Sequence, residues 1–249
     1  MLRKIKKREE NPFERRMVAK EWINLVENTK HEGKRKKDIY PRLLTWSRSL
    51  KHKTIIEIGA GQGVCSSKIA FRQNQYIGIE PSKWLLVRAR KLYKRTNRKF
   101  LLGSAYRLPL GAGSADAAFG VNVWFHLKDL KKACSELRRV LKPQGKFYII
   151  TANPDTYKAW ESFFIGYSGR NARYIECPTR HKKRVKVLVG KFNHRVNPIS
   201  RTIFYFHSLN DIIGSLKKNS LIITNIETFG FNKKDKTQGL FIGIQGYAS

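Results

Sequence analysis

The stretch TIIEIGAGQGVCSSKIA, residues 54–70, constrains the fold more than any other. A β-branched apolar strand runs into glycines at positions 59, 61 and 63, and a helical pattern follows. Glycines at a strand-to-helix turn leave bare backbone that a ligand can approach closely. A dinucleotide fingerprint would place its third glycine three residues after the second, where this chain has Val64. A phosphate-binding loop would end in Gly-Lys-Ser/Thr, which is absent.

The pattern around this loop alternates. Strands are predicted at 54–58, 75–80, 99–103, 116–122 and 146–151, with helices at 63–72, 82–96 and 128–142. Strand and helix in alternation give right-handed crossovers and an α/β fold with a parallel sheet. Residues 1–10 read as a basic arm. Pro12 onward and IYPRLLTWSRSL read as two cap helices, so residues 1–53 form an N-terminal cap before a domain at 54–249. DTYKAWESFFIGYSG reads as an aromatic helix, and 169–199 as basic and irregular with a strand at VKVLVGKF. TIFYFHS, a helix at LNDIIGSLKKNS and an antiparallel pair, LIITNIETF and GLFIGIQGY, close the chain.

Two acids narrow the ligand. Glu57 stands directly before the glycine loop, where it would repel a pyrophosphate and suit a cationic group. Glu80 ends the second strand, 23 residues after Glu57, where it can accept from ribose hydroxyls. A ribose, a positive group and no phosphate describe S-adenosylmethionine (SAM). Each residue also has a plainer reading: the glycines as a tight turn, Glu80 as a solvated carboxylate.

The ordered pieces EIGAGQG, IGIEPS, GSAYRLPLGAGSADAAFG, NVWFHLKDLKKACSELRRVLKPQGKFYI and LFIGIQG resemble class I SAM-dependent methyltransferases, type 11 group, over about Trp22 to Ile244. The resemblance implies a doubly wound, Rossmann-like, seven-stranded, mostly parallel sheet with an antiparallel last strand. It implies that Glu57, Gly59, Ala60, Gly61 and Gly63 shape the pocket for the methionine part of SAM. Glu80 would hold the ribose beside Pro81 and Ser82, and Ser104 and Ala105 would lie by the adenine. Many relatives have Asp at the position of Ser104. Asn122 and Val123 would line the other side, and residues 154–207 would be an acceptor-side insertion.

His126, after the fourth strand, is a candidate general base, or else a residue that caps the next helix or fills space. Trp22, Trp124, Tyr157, Trp160, Tyr167, Tyr205 and His207 are candidates for the acceptor wall. Trp22 could equally pin the cap to the core. The fourth strand leads into NVWF rather than Asn/Asp-Pro-Pro-Tyr/Phe, and Cys177 precedes Pro178 rather than following it, so two kinds of base methylation are disfavoured. The resemblance, which is common among enzymes that methylate small molecules, together with these missing motifs makes a small molecule the expected acceptor, with RNA as the alternative. A SAM-binding or RNA-binding protein without catalysis is a further reading.

The net charge is +33. Residues 1–53 hold 17 basic and 7 acidic residues, 54–155 hold 18 and 6, and 156–249 hold 16 and 5. Such an even excess fits either a Lys- and Arg-rich proteome or affinity for polyanions. Basic runs lie at 3–8, 34–37, 88–99 and 180–186, and Arg88, Lys91, Arg95 and Arg98 share one predicted helical face. Cys65, Cys134 and Cys177 make neither a disulfide framework nor a CxxC metal pattern, so no metal is expected. No apolar run reaches the ~18 residues that span a bilayer. No signal-peptide core follows the basic start, and a cytoplasmic protein is expected.

Overall fold

The βα alternation that begins at Thr54 builds a single large sheet. The computed structural model describes residues 11–27, 33, 35–69, 73–156, 172–174, 184–189, 200–205, 207–230 and 239–249. Its strands are β1 Thr54–Ile58, β2 Gln75–Glu80, β3 Arg98–Leu102, β4 Ala115–Val121, β5 Leu141–Ala152, β6 Ala172–Tyr174, β7 Arg184–Val189, β8 Ser200–Tyr205, β9 Leu221–Phe229 and β10 Phe241–Ala248. The helices are α1 Arg16–Glu27, α2 Tyr40–Ser47, α3 Ser66–Ile69, α4 Lys83–Tyr93, α5 Leu130–Val140 and α6 Leu209–Lys217.

The large sheet has the order β3-β2-β1-β4-β5-β10-β9. β1 to β5 pair in parallel, and β10 runs antiparallel to both β5 and β9. The order reverses between β1 and β4, which opens a crevice at the carboxyl ends of the strands. A separate antiparallel sheet has the order β6-β7-β8.

Local chemistry explains the elements. β1 is covered on both faces, so Ile55 to Ile58 are all buried, as a central parallel strand requires. On α5, Leu130, Ala133, Cys134, Leu137 and Val140 fall on one buried face, and the Asp129 side chain caps its start. Ser82 caps α4, and Ser208 with Asp211 forms a capping box on α6. The core forms two clusters of buried side chains. Cys65 lies in one and Cys134 in the other, both as free thiols.

Three expectations need adjusting. The helix expected from Pro12 opens as a 3-10 turn, Pro12–Glu14, held by the Asn11 side chain accepting from the Phe13 amide, and α1 starts at Arg16. A π-turn over Arg35–Ile39 precedes α2. The region read as irregular holds β6 as well as the strand foreseen at 185–192. The aromatic helix was expected over 155–169; Asp155 and Thr156 lie in a 3-10 turn, Pro154–Thr156, and the rest, with Tyr157, Trp160 and Tyr167, lies outside the described residues, as do Cys177 and residues 1–10.

Candidate active site

The glycine loop closes the end of β1. The amides of Gly59 and Ala60 both donate to the Ile79 carbonyl, at 2.8 and 3.0 Å, which ties the loop to β2. Gly59, Gly61 and Gly63 all have left-handed φ, at 72°, 57° and 84°. A Cβ on Gly59 would lie 2.6 Å from Val123, and one on Gly63 would lie 2.9 Å from Phe100. A Cβ on Gly61 would meet nothing within 4 Å. Two glycines thus serve packing, and the middle one faces open space.

Glu80 fixes this loop from the neighbouring strand. One carboxylate oxygen accepts from the Gly61 amide and the other from the Ser82 amide, both at 2.9 Å. The group is 5% exposed. Burial pushes its carboxyl up to about 7, against the pull of these two amides and with the nearby Glu14 adding to the rise. Each oxygen keeps a second lone pair for a ligand hydroxyl. Pro81 is half-buried beside it.

Glu57 has a different setting from the one its position suggests. Its carboxyl is 2% exposed and is bonded to the Tyr76 hydroxyl and the Cys65 thiol. Burial pushes it up to about 8, so it holds its proton at neutral pH. Tyr76 was not singled out from sequence. Its signal is Gly78, which pairs with Glu57 across the strands and whose absent side chain leaves room for the Tyr76 hydroxyl.

Two buried polar atoms here have no partner among the described residues. They are the side-chain nitrogen of Gln62, inside the glycine loop, and the side-chain oxygen of Asn122, at the end of β4. Asn122 also has a left-handed φ of 56°, while its amide bonds the Ile150 carbonyl. Asn122 thus combines a left-handed backbone with a buried acceptor that has no partner among the described residues. Val123 packs under Gly59. Ala105 is buried, and the Ser104 hydroxyl accepts from the Tyr106 amide at 3.3 Å.

The N-terminal segment crosses the crevice. The Phe13 carbonyl accepts from the Ser82 hydroxyl, after β2, and the Phe13 ring lies 6.0 Å from His126, after β4. Because β1 lies between β2 and β4, this strap passes over the glycine loop. The Trp84 indole donates to the Glu14 carbonyl at 2.8 Å, and Arg88 grips Glu27 through two bonds of 3.1 and 2.8 Å. Trp22 is half-buried with its ring 5.1 Å from Phe13, and it packs against the core. Trp22 therefore pins the cap to the core.

Phe13, Phe125 and Phe204 surround His126, with centroids 6.0, 4.5 and 4.8 Å from its ring. Burial among them pulls its pKa down to about 4, against a hydrogen bond to the Ile203 carbonyl that favours the charged form. The imidazole is neutral at physiological pH. Trp124 is 2% exposed, and its indole N–H has no partner among the described residues. With Phe125, Thr151, Tyr205 and His207 it borders a cavity of about 10 Å³, and His207 bonds the Leu127 carbonyl at 2.6 Å. Phe13 and Phe204 were missed from sequence. Phe13 was read only as part of an apolar helix face, and Phe204 gave no separate signal within its strand.

The residues present fit SAM. The loop leaves space at Gly61, Glu80 keeps acceptor capacity, and Gln62 and Asn122 offer an unused donor and acceptor. No group of three or more metal-ligating side chains occurs among the described residues. No helix among them is long and apolar enough to cross a membrane.

Comparison with known proteins agrees with this geometry. Residues 56–149 match the family model for a methyltransferase domain. An uncharacterized methyltransferase of Mycobacterium bovis is 27% identical over 120 residues, 48% of each chain. A malonyl-[acyl-carrier protein] O-methyltransferase of Methylovorus is 31% identical over 118 residues, 44% of this chain and 40% of that one. The chain thus spans about half the length of the curated relatives it matches. A solved SAM-dependent methyltransferase from Methanosarcina mazei shares the fold, with a TM-score of 0.62 at 16% identity over 85% of this chain and 98% of that one. Residues 56–149 of this chain thus resemble a methyltransferase domain in sequence, and its sheet has the fold of solved SAM-dependent methyltransferases.

Proposed function

We propose that this protein binds SAM in the crevice above Gly61 and transfers its methyl group to a small-molecule acceptor, releasing S-adenosylhomocysteine. The observation that carries this reading is Glu80, which joins the glycine loop to the start of α4 and still has lone pairs for ribose hydroxyls. SAM supplies a methyl already activated on a sulfonium, so orientation contributes much of the rate. Gln62 and Asn122 bind the polar ends of the cofactor. Phe13 and Trp22 exclude water, and the rings near the sulfonium stabilise its charge.

The acceptor side favours an apolar body. Phe13, Phe125 and Phe204 present ring surfaces, and His126 among them is neutral. His126 positions an acceptor hydroxyl or amine and takes a proton only weakly, because burial has lowered its basicity. The Methylovorus relative, whose acceptor is carried on an acyl-carrier protein, supports an acceptor that is not a nucleic-acid base. In this reading 54–249 is the catalytic domain, 1–53 its cap and 154–207 its acceptor side, and the protein works in the cytoplasm. The +33 charge favours RNA as the second reading of the acceptor.

Calorimetry with SAM tests the site. Binding should vanish in Gly61→Arg, whose side chain enters the open space, and weaken strongly in Glu80→Ala. Equal affinity in wild type and both variants would sink the assignment. Radiolabelled SAM incubated with cell extract, then split into small-molecule, RNA and protein fractions, tests the acceptor. Label confined to RNA would replace the first reading with the second.

A further inference from the structure

The opposite end of the sheet carries a second concavity. A groove of about 600 Å³ lies between α2 and the β5-β10-β9 part of the sheet. Thr45 and Ser49 form one wall, and Lys146, Gln245 and Tyr247 form the floor. Lys146 pairs with Ala117 near the start of β4, so the groove sits at the amino ends of the parallel strands, away from the crevice.

We propose that this groove binds the sugar–phosphate backbone of single-stranded RNA. The cations are in place. Lys146 is exposed, and its partner is the Ser49 hydroxyl at 3.2 Å rather than a carboxylate. Arg48, Lys51 and Lys53 are exposed on the segment that continues one wall, and Lys142 on the turn that leads to Lys146. The nearby acids are already spent. Glu227 accepts from Arg42 at 2.9 Å and from the Tyr148 hydroxyl at 2.7 Å. Asp116 accepts from the Thr54 amide and pairs with Lys142 and Lys53.

The net field at the groove is therefore positive. Along the sequence the charge is even, and folding brings residues 48–53 and 142–146 to one mouth. Hydroxyl and amide side chains on the walls suit phosphate and sugar oxygens, which take most protein–nucleic acid hydrogen bonds. Tyr247 offers a ring for stacking. The site does not depend on the methyl-transfer reading. Lying at the far end of the sheet, it holds RNA as a partner and not as the methyl acceptor.

Fluorescence anisotropy with a short labelled single-stranded RNA tests this on the full chain. The double variant Arg48→Glu/Lys146→Glu should lose about tenfold or more in affinity, with a salt slope shallower by roughly 1.4, two phosphate contacts at about 0.7 each. Lys91→Glu/Arg95→Glu makes the same charge change at exposed positions beside the β3 edge, four strands from β5, and should lose less than about a third as much. Melting curves and SAM calorimetry on both variants separate lost contacts from lost fold. Absence of RNA binding, or equal losses in the two variants, would overturn the proposal. So would equal affinity for a duplex, or displacement of the RNA by inorganic phosphate or free nucleotide at comparable concentration.

Discussion

The two ends of the sheet are built from the same strands and behave oppositely. At the carboxyl end a strap of aromatic side chains lies over the glycine loop, and Glu57 and His126 near it are held neutral. At the amino end a groove stands open, and its charges are solvated or paired. The acids make the contrast sharp. Burial raises Glu57 and Glu80. Asp116, whose partial burial alone would raise it, is held below the ordinary carboxylate value by the Thr54 amide and by Lys142 and Lys53. A large net charge on a chain therefore says little about any one site, because burial and local partners set the charge of each group.

The largest effect that would break this contrast is geometric. Gly59→Val adds a β-branched side chain at a left-handed φ and drives its Cβ into Val123. We expect a loss of about 4 kcal/mol in urea unfolding, with SAM binding abolished. Stability within 1 kcal/mol of wild type, on that scale, would mean the loop rearranges freely.

The next effect is the response to pH. The folded-state pKa values of Glu57 and Glu80 lie above their unfolded ones. Their contribution to stability is present at low pH and is lost as pH rises toward about 8. His126 is shifted the other way, and above about 6.5 it adds back only about 0.4 kcal/mol as the unfolded imidazole loses its remaining proton, so the carboxyls dominate that window. Between pH 6.5 and 8 we expect a fall of about 2 kcal/mol in urea unfolding, and Glu57→Gln should remove most of it. A flat profile in wild type would show that the crevice is wetter than its packing suggests.

Smaller still is the latch. Arg88 and Glu27 are each about one-third exposed, so solvent screening keeps their bond weak despite its two-point geometry. Arg88→Ala should cost about 0.5–1 kcal/mol and raise amide exchange across 16–27, leaving exchange in β1 unchanged. Uniform acceleration everywhere would show that α1 is part of the core rather than a cover. The smallest change belongs to the amino end. Lys142→Ala leaves Asp116 with the Thr54 amide and Lys53, and a loss under about 0.5 kcal/mol is expected from thermal melts.

Much of the fold was legible because strand and glycine patterns are local. The spans foreseen for β1 and β2 coincide with the structure, and α4 and α5 differ from expectation only at frayed ends. β5 starts five residues early, at Leu141, since the Lys-Pro-Gln-Gly segment pairs before it turns into the strand proper. The site was legible in its loop and not in its cover. Gly61 and Glu80 stand 19 residues apart, one just past the end of β1 and the other at the end of the adjacent β2, so spacing alone brings them together. Phe13 and Ser82 stand 69 residues apart, and nothing periodic links a turn in the cap to the start of α4. The partnership of Glu57 with Tyr76 and Cys65 was equally hidden. An acid before a glycine loop reads as a ligand group, and only the packed structure shows its carboxyl already taken.

The strap is fastened in an asymmetric way. On its own side the fastenings at Phe13 and Glu14 are main-chain carbonyls, and on the core side they are the side chains of Ser82 and Trp84. Every residue supplies a carbonyl, so the cover can change its side chains without losing these anchors. Closure is inherited from the core, while the ring facing His126 is free to vary. Position 13 is thus a dial that selection, or a saturation library, can turn to re-tune what fits beneath the cover while the machinery of covering stays constant.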